Sequence, residues 1–272
     1  MITITDNEFS QLTQYIHANY GIKLGPEKKA LIVGRLGNLL VQKQFKNFSQ
    51  YYEYILADKS GSADISLVNL ITTNHTFFMR ETDHFNYFRG TVLPYLKATI
   101  KDYDLRLWSA GCSSGEEPYT LAMIIDEFLG EEKNRWDRKL LATDLSSKVL
   151  DVAQKGIYSN ESLAPLPTLF KQKYSRSTTT DTSEICHEIK NEIIFRKFNL
   201  MTKIFPFKKK FHVIFCRNVM IYFDSRTKNE LIDKFYNLLE NGGYLFIGHS
   251  ESIARDQTRF KYVMPAVYRK EL

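Results

Sequence analysis

The stretch LWSAGCSSGEEPYTLAM, Leu107 to Met123, decides the fold. An apolar run ends at Ala110, a glycine-bearing loop follows, and apolar residues then recur at helical spacing from Pro118 onward. Two chemistries share this pattern. Gly111-Cys112-Ser113-Ser114-Gly115 satisfies G-x-S-x-G, the nucleophile elbow of serine hydrolases, with Ser113 on a sharp strand-to-helix turn. The same letters describe a loop between a strand and a helix that cradles a nucleotide-like cofactor.

Outward from this loop the chain alternates. DLRLWSA, KLLATDL, FHVIFCRN and GYLFIGHS read as buried strands, AVYRK as a last edge strand, and EPYTLAMIIDEFLG and SRTKNELIDKFYNLLEN as helices. Such alternation predicts an α/β domain with a mostly parallel sheet covered on both faces, whose ligands bind at the carboxyl ends of the strands. Tyr174 to Leu200, polar and rich in threonine, interrupts the rhythm and reads as a small antiparallel subdomain inserted in the sheet. Upstream, FSQLTQYIHANYGI and KKALIVGRLGNLLVQ carry helical periodicity, and Gly21, Gly25-Pro26 and Lys59-Ser60-Gly61-Ser62 punctuate it as turns. Residues 1–72 are therefore expected to form a small all-helical domain, ahead of an α/β domain over 73–272 with its insertion at about 174–200.

The 272 residues suffice for two cores, and 43% hydrophobic content excludes a disordered chain. No apolar run approaches the roughly 18 residues of a membrane span. The start, MITITDNEFSQLTQYI, lacks the pattern of a signal peptide, and Cys112, Cys186 and Cys216 form neither a disulfide framework nor a zinc pair, so a reducing cytoplasm is expected. A net charge of +6 favours an acidic partner without choosing among nucleic acid, membrane surface and protein.

For a hydrolase, Asp224 and His249 follow candidate strands in the required order. Against it, the elbow would follow the first strand with no earlier glycine loop to supply an oxyanion donor, and Glu116 and Glu117 would put negative charge where an oxyanion must develop. A dehydrogenase needs G-x-G-x-x-G to seat a pyrophosphate, and the loop has only Gly111 and Gly115. Carboxylates at a helix start repel phosphate and suit a cationic, hydroxyl-rich ligand, a description met by S-adenosylmethionine. Asp144, ending ATDLS, is placed to accept from both ribose hydroxyls, although the same residue serves equally as an N-cap for a helix beginning at Ser146. His249-Ser250-Glu251 matches a deaminase H-x-E but lacks P-C-x-x-C, the six histidines show no metal-ligand spacing, and no metal is expected. Lys208-Lys209-Lys210 reads as a solvated turn.

Taken in order, TTNHTFFMRETDHF, LWSAGCSSGEEPYTLAM, ATDLSSKVLDVAQKGIY, FHVIFCRNVMIYFD and LFIGHSES, behind a helical N-terminal domain, resemble the CheR family of chemotaxis receptor methyltransferases. The resemblance covers nearly the whole chain. It implies a Rossmann-like class I methyltransferase domain with a small inserted antiparallel β-subdomain, and transfer of a methyl group from S-adenosylmethionine to receptor glutamates, with S-adenosylhomocysteine as product. It further implies a cofactor site built from Asn74, Thr76 and Arg80 of an Asn-x-Thr-x-x-x-Arg pattern, Glu117 for the charged methionine end, Asp144 for the ribose, Asn199-Leu200 beside the adenine, and Arg217-Asn218. Arg80 and Tyr222 are the residues expected nearest the chemistry, Arg80 in a positioning role and Tyr222 facing the transferred methyl.

The family docks acidic receptor helices on basic residues of its N-terminal domain. Lys28, Arg35 and Lys46, separated by 7 and 11 residues, return to one face of a helix if the helix runs that far. A solvated face gives the same pattern. Family members that tether to a receptor's C-terminal pentapeptide resemble one another in a glycine-bearing turn in the small sheet, whereas here Ser177 to Thr182 has no glycine, so a pentapeptide-independent enzyme is expected; separately, a monomer is expected. Two rivals stand beside this reading. One is a catalytically silent module of the same fold, against which Arg80, Asp144 and Tyr222 argue. The other is a nucleic-acid methyltransferase, which usually carries D/N-P-P-aromatic where this chain has Cys216-Arg217-Asn218-Val219, so neither nucleic acid nor membrane insertion is expected.

Overall fold

The structure is a computed structural model that describes residues 2–72 and 75–271. It divides into two compact units, Met1–His75 with Tyr222–Thr227, and Thr76–Ile221 with Lys228–Leu272.

The first unit is helical: α1 (Asp6–Tyr20), α2 (Lys29–Gln42), α3 (Phe48–Ala57) and α4 (Ser62–Ile71). Leu12 and Ile16 of α1, Ile32, Leu36 and Leu40 of α2, Phe48, Tyr51 and Ile55 of α3 and Leu67 of α4 are buried. The i, i+4 spacing of these residues is the stripe that the periodicity announced. A capping box starts α1, since the Glu8 carboxylate accepts from Thr5 N (2.9 Å) and Thr5 Oγ1 accepts from Glu8 N (3.2 Å). The other Glu8 oxygen accepts from Ser49 N (2.9 Å), tying α1 to the start of α3. A short later segment, Tyr222–Thr227, also belongs to this unit. Ile22 and Phe223 form an antiparallel bridge, Lys23 N donates to Tyr222 O (2.8 Å), and Asp224 pairs with His17 (2.8 Å), so Tyr222–Thr227 pack with the helices.

The basic stripe does not survive as one helix face. α2 ends at Gln42, so Lys46 lies beyond it in the connection to α3. Arg35 Nη1 donates to the carbonyls of Ile71 (2.8 Å), Thr72 (3.2 Å) and Leu70 (3.4 Å), closing the C-terminal end of α4, where helix carbonyls lack intrahelical partners. Lys28 and Lys46 are exposed.

The second unit holds α5 (Thr82–Tyr87), α6 (Leu93–Thr99), β1 (Leu107–Ala110), α7 (Glu116–Leu129), β2 (Leu140–Asp144), α8 (Ser147–Lys155), β3 (Ile157–Ser159), α9 (Asn160–Leu163), α10 (Thr168–Tyr174), β4 (Ser175–Ser177), β5 (Thr182–Ile185), α11 (His187–Lys190), β6 (Ile193–Lys197), β7 (Phe211–Cys216), α12 (Ser225–Leu238), β8 (Leu239–Ile247), β9 (Lys261–Met264) and β10 (Val267–Arg269). Seven strands form one sheet in the order β6-β2-β1-β7-β8-β10-β9. β6, β2, β1, β7 and β8 run parallel, and β10 is antiparallel to both of its neighbours, β8 and β9. Every residue of β1 and β7 is buried, as continuous apolar strands covered on both faces must be. The chain leaves β1 for neighbours on opposite sides, which makes its carboxyl end the switch point where such sheets bind ligands.

Two sequence expectations need correction here. AVYRK is a strand, but β10 pairs with both β8 and β9, and the edge is β9, reached through a tight turn at Ala266 (φ 62°). Tyr174 to Leu200 is divided: β4 and β5 make a three-stranded antiparallel sheet with β3 from upstream, while β6 pairs in parallel with β2 over five positions. β6 lies at the edge of the large sheet, and its burial alternates over residues 193–196 because only one of its faces is covered. Among the described residues no helix is long and apolar enough to cross a membrane.

Candidate functional site: the carboxyl ends of the central strands

After β1 the chain turns through two glycines, Gly111 at φ 86° and Gly115 at φ 98°, with Ser113 between them at φ 49°. A Cβ on Gly111 would run into a Val219 methyl, and one on Gly115 would meet Ala153 Cβ and the Tyr158 hydroxyl at 2.9 Å, so side chains are excluded by conformation and by space. Gly111 N and Cys112 N both donate to Thr143 O (2.8 and 2.9 Å), tying the loop to the end of β2.

Asp144 stands at that end. Its carboxylate accepts from Ser113 N and from Ser146 N, each at 2.9 Å, and burial outweighs these bonds to raise its pKa. α8 begins at Ser147 and its N-cap is Ser146, whose hydroxyl accepts from Val149 N, so Asp144 is not the cap. A carboxylate has about four lone-pair sites, so these backbone donors leave Asp144 some acceptor capacity.

Arg217, just past β7, is the centre of a buried charge cluster. Its Nη1 donates to Glu117 Oε2 (2.9 Å), its Nη2 and Nε to Glu81 Oε2 (3.1 and 3.3 Å), and Nη2 also to the carbonyl of Arg80. The guanidinium lies over the Phe85 ring at 5.2 Å. Ser109 Oγ on β1 holds the second Glu117 oxygen (2.7 Å). Two carboxylates about one guanidinium leave the cluster net negative. The Glu81 carboxyl is pushed up by burial, yet Arg217 and hydrogen bonds from His249 N and Asn218 Nδ2 bring it below the ordinary value. Glu116, by contrast, is turned to the Ser114 hydroxyl (2.8 and 2.9 Å).

The loop after β7 is fixed by Glu251. This buried carboxylate accepts from Gly248 N (2.6 Å), Asn218 N (3.0 Å) and Ile221 N (3.1 Å), and burial raises its pKa despite them. Asn218 sits at φ 59° and donates Nδ2 to Glu81 Oε1 (3.2 Å). Glu81, itself at φ 56°, and Glu251 are the residues that sequence reasoning missed. Glu81 lies unremarked inside TTNHTFFMRETDHF, and Glu251 reads as half of a broken zinc motif. Nothing local signals that both serve a segment far along the chain.

Of the other expected residues, Thr76 and Arg80 are half-buried, with Arg80 Cζ 6.0 Å from the Phe77 ring centroid. Asn199 accepts from Met201 N (2.9 Å), and Leu200 is buried. Tyr222 packs with the helical unit, and Asn74 lies outside the described residues. A hydrolase triad is not assembled: Asp224 is engaged by His17 (2.8 Å) and Thr227 N (2.8 Å) in the helical unit, and His249 lies against His84 with ring centroids 4.5 Å apart. Burial pushes the thiols of Cys112 and Cys216 well above their ordinary values, so neither is a nucleophile.

The donor set suits a cationic cofactor with a ribose: a net negative cluster, the Asp144 carboxylate at the end of β2, and two glutamates rather than lysines at the start of α7. Phosphate finds no counter-charge on this loop. The comparisons agree with that chemistry. Residues 74–268 match the family described as CheR methyltransferase, SAM binding domain, and residues 7–72 match CheR methyltransferase, all-alpha domain. The chain is 44% identical to the chemotaxis protein methyltransferase of Borreliella burgdorferi over 99% of its own length and 96% of that protein's. It is 34% identical to the chemotaxis protein methyltransferase of Escherichia coli K12, over 98% and 92% of the two chains. From the glycine loop, the carboxylate at the end of β2 and these full-length matches together, the chain belongs to the CheR methyltransferase family, with S-adenosylmethionine as its cofactor.

Proposed function

We propose that the protein methylates glutamate side chains of chemoreceptors, leaving glutamyl methyl esters and S-adenosylhomocysteine. The observation that carries this reading is the Glu81–Arg217–Glu117 cluster beside Asp144 at the carboxyl ends of the strands. When bound, S-adenosylmethionine supplies an electrophilic methyl on a sulfonium. A receptor glutamate is ionised at neutral pH, so no general base is needed. An anion and a cation become a neutral ester and a neutral thioether, so a dry site and in-line positioning are what the protein contributes.

In this reading Asp144 accepts the ribose hydroxyls, Glu117 faces the cationic methionine end, and Arg217-Asn218 and Asn199-Leu200 line the pocket. Asn74 and Thr76 complete it, Arg80 orients a carboxylate, and Tyr222 shapes the methyl pocket. The helical domain docks acidic receptor helices in the cytoplasm, with Lys28 and Lys46 as its solvent-facing cations and Arg35 as a structural member. The enzyme acts as a monomer and independently of a receptor pentapeptide. Incubation with cofactor labelled in the methyl group and receptor cytoplasmic fragments tests the reaction. Label released from the receptor by base supports it. Label appearing on nucleic acid, or no transfer while S-adenosylhomocysteine still binds, overturns it.

A further inference from the structure

His84, on α5, is completely buried, and neither ring nitrogen has a hydrogen-bond partner. The Pro265 carbonyl lies toward the ring without reaching hydrogen-bond geometry. An unpartnered imidazole in a core is costly, and a phenylalanine would fill the same space beside Phe246 without that cost. Its Nδ1 stands 3.4 Å from Glu81 Oε2, and its ring meets that of His249 edge-on. One donor atom from each of Glu81, His84 and His249 falls within 4.8 Å of the other two.

From this convergence we propose that Glu81, His84 and His249 form a binding site for a divalent d-block ion of the zinc class, one that modulates the neighbouring charge cluster. Tetrahedral zinc with bonds of about 2.0–2.1 Å places its ligand atoms roughly 3.3 Å apart, so the widest separation must contract by about 1.5 Å. His249 supplies that movement, being exposed in the loop after β8. Two imidazoles and one carboxylate select zinc, cobalt or nickel over magnesium and calcium, and three protein ligands leave a fourth position for water. The ion competes for Glu81, because the oxygen nearest His84 is the one that accepts from Arg217. A dication there removes the net negative charge, so occupancy disfavours a cationic cofactor. Ion binding rests on geometry alone; the coupling to the cofactor rests on the reading given above.

The test uses the full chain without a histidine tag. Zinc is titrated in competition with a chromophoric chelator, and cobalt is added to look for tetrahedral absorption bands. One ion per chain at about micromolar affinity or tighter, weakened at least tenfold and stripped of the cobalt bands in His249→Ala, supports the site. No stoichiometric binding, or binding that both His249→Ala and Glu81→Gln leave intact, overturns it. His249→Ala replaces an exposed side chain and keeps the backbone donor to Glu81 (3.1 Å), so a folding defect does not confuse the result. S-adenosylhomocysteine affinity is then measured with and without saturating zinc. A severalfold fall in the wild type that His249→Ala abolishes supports the coupling, and an affinity indifferent to zinc overturns it. Failure of metal-free protein to bind S-adenosylhomocysteine at all would count against the methyltransferase reading and leave the ion titration standing.

Discussion

The helical unit and the carboxyl ends of the central strands each engage an arginine, half-buried Arg35 and buried Arg217, but on opposite kinds of acceptor. Arg35 spends its guanidinium on the neutral carbonyls of residues 70–72. Arg217 spends its own on two ionised carboxylates, Glu81 and Glu117. Neutral acceptors ask an arginine to close a helix end. Charged ones ask it to balance a site, and the imbalance left over is what the site offers a ligand. In sequence Arg35 reads as one of a basic docking stripe and Arg217 as part of a family motif, and their acceptors separate a structural role from a chemical one.

Removing Arg217 should have the largest effect. Arg217→Met leaves Glu81 and Glu117 buried side by side without their cation, and breaking a buried pair in this way costs about 3–5 kcal/mol. Glu81 is held below its ordinary value of 4.5, so its contribution is fully present above that pH and is lost as pH falls through the folded value. The gap between wild type and variant in urea unfolding should therefore be widest at neutral pH and narrow below about 4.5. A gap that is small at neutral pH, or constant across the range, would show that the cluster is not the charge balance described.

Asp144→Ala comes next and separates binding from folding. The side chain loses backbone donors that water can satisfy, while the cofactor loses charge-assisted hydrogen bonds of roughly 1.5–3 kcal/mol each before solvent compensates. Calorimetry with S-adenosylhomocysteine should show the loss. Unchanged affinity would remove Asp144 from the ribose.

Arg35 supplies the contrast. Arg35→Met should destabilise the chain by about 1–2 kcal/mol through uncapped carbonyls, with no change in the salt dependence of receptor methylation. Lys28→Glu with Lys46→Glu should do the reverse, holding stability within about 0.5 kcal/mol while lowering receptor methylation and flattening its salt dependence. If Arg35→Met altered the salt dependence, its role would be docking after all.

What could be read in advance follows the range of the interactions. The glycine loop, the strand cores and the carboxylate at the end of β2 are set within a few residues of their own sequence, and each stands where the sequence put it. Arg35, Glu81, Glu251 and the meeting of His84 with His249 depend on partners distant along the chain, which periodicity does not encode. β6 misleads for a related reason: it follows a polar, threonine-rich stretch that reads as a separate subdomain, and local composition does not say which sheet a strand joins.

The smallest expected effect is none, and it concerns the turn of the small sheet. Between β4 and β5 no residue from Ser177 to Thr182 has positive φ. Backbone and hydroxyl bonds hold the turn together: Thr178 N and Thr179 N donate to the Thr182 carbonyl (2.9 and 3.2 Å), and the Thr179 hydroxyl Oγ1 accepts from Thr182 N (3.1 Å) and Asp181 N (3.2 Å). Asn160 anchors the turn from below, donating to the carbonyls of Asp181 (2.8 Å) and Thr180 (3.0 Å). β-branched residues are stiff and avoid the left-handed region, so the proposed independence from a receptor pentapeptide rests on a turn unlike one built on glycine. Strand addition needs an edge whose donors and acceptors face outward in register. Titrating the chain with a receptor C-terminal pentapeptide should accordingly give no saturable binding up to about millimolar, which corresponds to less than roughly 4 kcal/mol of interaction. Micromolar saturation, lost when Thr178 to Asp181 are replaced, would show that β4 accepts a strand without glycine.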